Sequence, residues 1–145
     1  MVYQLSITRD QLASFDPCDL PARLKLFGKR KRLTARQAIA AGASIRNVLW
    51  VMGRVGRKDL CVRFALACAQ RVAHLNPDPR VQAALDATSA WLADPTEEKR
   101  LATRNASAAA TSASATSAAT SAAQQTDIAW QTDTLIALCE GEGAR

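Results

Sequence analysis

Few residues of this chain carry the chemistry of catalysis or metal binding. The candidates are four cysteines and one histidine: Cys18, Cys61, Cys68, Cys139 and His74. Zinc sites draw on closely spaced ligand pairs, and the chain contains no Cys-x-x-Cys. Cys61 and Cys68 instead stand two helical turns apart, among Phe64, Ala65, Val72 and Leu75. That spacing predicts a packed stripe on one helix face. A Cys68–His74 nucleophile pair would need a reactive thiolate, and thiols in apolar stripes are inert. No catalytic residue, metal or cofactor is therefore expected. The opening Met1-Val-Tyr-Gln-Leu-Ser-Ile-Thr-Arg-Asp10 lacks a basic start followed by an apolar stretch, so the expectation is a cytoplasmic protein with four reduced thiols.

The side chains that could do work are cations. Residues 1–60 hold 12 Lys/Arg against 4 Asp/Glu, whereas residues 61–145 hold 7 against 9, so the net charge of +6 comes from the first half. Its densest run is Lys29-Arg30-Lys31-Arg32, flanked by Arg23, Lys25 and Arg36. Guanidinium and ammonium groups at this density attract carboxylates or phosphates and steer acidic partners. These seven residues are the candidate partner-binding set.

The elements that position them should be helices. Thirty alanines and 15 leucines stand against 12 Val or Ile and 5% aromatics, a balance that favours helix and disfavours a β-sandwich or barrel. Capping boxes occur at Thr8-Arg-Asp-Gln11 and Thr34-Ala-Arg-Gln37. Further starts are marked by Asp19 with Pro21, by Ser44, by Asp78-Pro79 and by Asp94-Pro95, with Gly28 and Gly42 as stops. Ile45, Val48, Leu49 and Met52 form one apolar stripe, and Leu60, Cys61, Phe64, Ala65 and Cys68 another. A third follows in Val81, Ala84, Leu85, Thr88, Trp91 and Leu92. Phe64, Cys68, Leu85 and Trp91 are expected in one core.

Asn105 to Thr126 is uncharged for 22 residues, but it holds 10 Ala and 9 Ser/Thr with no Leu, Ile, Val or Phe, which rules out a membrane anchor. Ala favours helix here, with a break near Asn105 or near Gln124–Asp127. The expected fold is all-α: one compact bundle of about six to eight helices over residues 1–145, the C-terminal ones rich in Ala, Ser and Thr. Basic helices would occupy residues 1–33, core helices 34–93 and the Ala-rich segment 94–140, with a tail at 141–145.

Several of these residues carry a resemblance. Thr34-Ala-Arg-Gln-Ala-Ile-Ala-Ala-Gly42, Val48-Leu-Trp50, Phe64-Ala-Leu-Ala-Cys68-Ala-Gln-Arg71-Val72, Asp78-Pro79-Arg80 and the Ala83-Ala84…Ala87…Trp91 spacing resemble the immunity-protein family associated with bacterial polymorphic toxins and also found on phage and prophage genomes. The resemblance implies a non-catalytic protein-binding inhibitor that neutralises a toxin or effector by occupying its surface, and the cationic set makes an acidic part of that surface the expected target. A related expectation is a phage-encoded inhibitor of a host defence nuclease such as a CRISPR effector. The other class is a basic helical nucleic-acid-binding protein, since Thr34–Gly42 followed by Ser44–Val55 has the outline of a helix-turn-helix. Ile45, Val48, Leu49, Trp50 and Met52 leave few positions there for reading bases. The sequence leaves open whether the Ala-rich helix packs within the chain or against a second copy, which makes a homodimer one of the two alternatives.

Overall fold

Two threonines organise the beginning of the chain. The computed structural model describes residues 4–114 and 128–141. Strand β1 (Ser6–Thr8) runs directly into helix α1 (Arg9–Ser14), and strand β2 (Arg32–Thr34) runs directly into helix α3 (Ala35–Ala40). In each case the threonine ends the strand and caps the helix. Thr8 Oγ1 accepts from Gln11 N at 3.2 Å while Gln11 Oε1 accepts from Thr8 N at 2.8 Å. Thr34 and Gln37 repeat the arrangement at 3.3 and 3.1 Å. An N-cap residue has extended backbone angles, so a strand can flow into a helix without a loop. The strands pair antiparallel, Ser6 with Thr34, Ile7 with Leu33 and Thr8 with Arg32.

Between them lies α2 (Leu20–Lys25), and after them come α4 (Ile45–Arg54), α5 (Lys58–Val72), a single 3₁₀ turn (Ala73–Leu75), α6 (Pro79–Ala93), α7 (Glu97–Ser114) and α8 (Ile128–Cys139). The described residues thus contain eight α-helices, and the protein is all-α. The two three-residue strands are an addition to the expected fold. Runs that short carry no readable alternation, and the last residue of each reads in sequence as a helix cap.

The chain packs as two units: residues 1–61 with 131–145, and residues 62–130. In the first, Phe27 and Met52 are fully buried, as is Leu135. Ile7, Leu12, Phe27 and Leu33 form a cluster against which Leu20, Leu24, Val51 and Val55 pack. The end of α8 completes this unit from the far end of the sequence. Leu5 N donates to Cys139 O at 2.8 Å, and the Cys139 thiol lies 3.7 Å from Met52 Sδ. Cys61, half-buried, donates weakly to Leu49 O at 3.5 Å.

The second unit contains the hairpin of α6 and α7. Asp78 caps α6 by accepting from Arg80 N at 2.9 Å, with Pro79 in the first turn. Thr96 Oγ1 accepts from Lys99 N at the start of α7, and Thr103 Oγ1 donates across the hairpin to Ala87 O at 3.0 Å. Phe64 and Leu85 are buried as expected, whereas Cys68 and Trp91 are only half-buried. Leu75 is 40% exposed because α5 gives way to the 3₁₀ turn before reaching it. Helix α7 runs straight through Asn105, so no break occurs there; Gln124–Asp127 lie outside the described residues. Among the described residues, no helix is long and apolar enough to cross a membrane.

Two measurements check these placements. Phe27→Ala should lower unfolding free energy by about 3–5 kcal/mol in denaturant titration, because it empties a fully buried ring site. Burial also pushes the Cys139 thiol up to about 11, while Cys18 is exposed. Maleimide labelling at neutral pH should therefore modify Cys18 quickly and Cys139 only after denaturation.

Candidate functional site

The cationic residues singled out from the sequence all fall in the first unit, where the structure separates them by role. Lys25 ends α2, and Lys29, Arg30 and Lys31 occupy the exposed connection to β2. Among the described residues, no carboxylate forms an ion pair with any of these four. Gly28, at φ 55°, takes the left-handed conformation that opens this connection.

The other three candidates have structural partners. Arg32 is a strand residue: its Nε donates to Ser6 Oγ at 2.9 Å across the β-ribbon. Arg36, in the first turn of α3, grips Glu140 with Nε and Nη2 at 2.7 and 3.0 Å. This fork ties α3 to the end of α8 and holds the Glu140 carboxyl below its ordinary range. Arg23 on α2 stacks its guanidinium on the Trp50 ring, 5.1 Å from the centroid.

Trp50 is the centre of a constellation that composition did not reveal. Arg54, one turn further along α4, also lies 5.1 Å from the Trp50 centroid, and Phe15 meets the ring edge-on at 6.2 Å and 77°. Trp50 and Arg54 are four positions apart, a spacing that brings side chains together on a helix and that could have signalled the pair. Arg23 and Phe15 come from other elements and carry no such signal. A guanidinium stacked on an aromatic face keeps its N–H edge available for carboxylate or phosphate.

Arg9 is a second cation missed by pattern. It donates to Leu24 O at 3.3 Å and to Gly28 O, with its guanidinium 5.1 Å from the Phe27 centroid. It thereby adds a side-chain donor to carbonyls at and just after the end of α2, where positive charge also complements the helix dipole.

Beside the stacked arginine lies an apolar cavity of about 70 Å³. Buried Ile7, Phe27, Leu33 and Met52 line it together with half-exposed Arg23, Ala38, Asn47 and Val51. By sequence the first unit carries thirteen Lys/Arg against seven Asp/Glu and the second six against six, so the net charge belongs to the unit that holds this cavity. The described residues hold no group of three or more His, Cys, Asp or Glu placed for a metal ion.

Comparison with known proteins places residues 34–134 in the profile of a family of unknown function (DUF6931). No curated protein and no solved structure matches. The matched range includes Arg36, Trp50 and Arg54 and begins just after the Lys29–Arg32 run.

The Arg36–Glu140 pair sets a pH dependence. A carboxyl whose folded pKa is depressed adds stability above its unfolded range and loses it as pH falls through the folded value. Glu140→Gln should therefore reduce stability at neutral pH by roughly 0–1 kcal/mol, given that the Arg36 side chain is 64% exposed, and flatten the acid limb of a Tm-versus-pH profile.

Proposed function

We propose that this protein, which belongs to the DUF6931 family of unknown function, is a non-catalytic protein-binding inhibitor that neutralises a toxin or effector by occupying an acidic part of its surface. The observation that carries the reading is the placement of Lys25, Lys29, Arg30 and Lys31, which form no ion pair with a carboxylate among the described residues, in the unit where Arg23 and Arg54 each stack on Trp50. Protein interfaces are anchored by a few Trp, Tyr and Arg side chains, and complementary charge speeds encounter. Both ingredients are present in one unit.

Base reading in a DNA groove is a poorer fit. On α4, Val48 and Met52 are buried, and Trp50 and Arg54 are engaged with each other. That leaves Arg46 and Asn47 as the polar positions in its first turns, against the several base-edge contacts that sequence recognition requires.

The test is charge reversal. Lys29→Glu, Arg30→Glu and Lys31→Glu together should change folding stability little, since exposed substitutions usually stay within about ±0.5 kcal/mol each. With the chain as bait in an extract of its own cell, the wild type should retain an acidic protein that added salt releases and the triple variant fails to hold. Co-production should then suppress the activity of the retained protein. Tight low-salt binding to unrelated DNA or RNA, with a steep log-linear salt dependence and no protein partner, would overturn the reading.

A further inference from the structure

Arg23 belongs to two features at once. Its guanidinium stacks on Trp50, and its side chain lines the apolar cavity of the first unit. One water needs roughly 10–15 Å³ of such space, so a volume of about 70 Å³ admits a group of several heavy atoms. Water gains little there, because the lining is overwhelmingly aliphatic and aromatic and offers few hydrogen-bond partners. An aliphatic side chain gains by entering. Around the cavity the charge is positive: the unit has a net excess of six cations, and among the described residues no ion pair joins a carboxylate to Arg23 or Arg54.

Resting on the protein-binding reading above, we propose that the cavity is the anchor site for an acidic segment of the partner, which inserts one aliphatic side chain beside Ala38 and Val51 while a flanking carboxylate pairs with Arg23. The cations at Lys29, Arg30 and Lys31 attract the segment; the cavity decides how long it stays. The two contributions separate kinetically, since exposed charge acts mainly on association and a desolvated anchor mainly on dissociation.

Two synthetic peptides test this on the full chain: an all-glutamate peptide with one central leucine, and the same peptide with glycine in its place. Calorimetry at low salt should show the leucine peptide binding about tenfold or more tightly, the factor that burial of a leucine side chain allows. Ala38→Phe, which fills the rim, should abolish that advantage and leave the glycine peptide unaffected. Val51→Phe serves the same purpose if the first variant melts early. Equal affinity for the two peptides, or binding of neither, overturns the anchor site. If the affinities are equal and both fall in the Lys29→Glu, Lys31→Glu variant, the acidic-partner reading survives without the cavity. If neither peptide binds and a thymidine oligonucleotide does, both readings fall. A wild-type dimer that Ala38→Phe converts to monomer would assign the cavity to a second copy of the chain and likewise overturn the proposal.

Discussion

The first unit depends on the register of three residue pairs. Side chains alternate between faces along a strand, so a slip of one residue would turn Ile7 and Leu33 out of the core. It would also displace Thr8 and Thr34 from the helix ends they cap, because each is strand and cap together. Antiparallel pairing places the two threonines at opposite ends of the ribbon, and α1 and α3 leave from those ends. Two strands of three residues would be marginal alone. The capping boxes and the Phe27 cluster hold them.

Charge is distributed around that frame according to what each cation can reach. Arg9, Arg32 and Arg36 are engaged by carbonyls, a serine and a carboxylate, and they knit α2, the ribbon and α8 together. Lys25, Lys29, Arg30 and Lys31 look outward. The same residue type, arginine, thus serves packing at three positions and solvent-facing attraction at another. Arg23 stands between the roles, stacked on Trp50 while bordering the cavity.

Local chemistry was legible in the sequence and long-range chemistry was not. The caps at Thr8, Thr34, Ser44 and Asp78 follow from side-chain oxygens close to the donors they satisfy, and all four form. The Phe64 and Leu85 stripes follow from helical periodicity, and both are buried. Arg36 and Glu140 are 104 positions apart, and no local pattern could join them. The pairing of Arg23 with Trp50 depends on how α2 meets α4, again a tertiary fact. A run of four cations reads as one patch in sequence; the ribbon splits it, because Arg32 lies within β2 and its partner is Ser6.

The return of α8 to the first unit has a consequence for synthesis. Leu135, Ile136, Leu138 and Cys139 are buried parts of a unit whose other residues end at 61. Ribosomes add roughly 5–20 residues per second, so the intervening segment takes several seconds to emerge. During that interval the ribbon and its helices exist without the side chains that close them, and Met52 lacks its contact with Cys139. The second unit, contiguous from 62 to 130, has no such wait. The part of the protein made first is therefore the part completed last, and a growing chain displays an unfinished apolar surface next to its most strongly positive one.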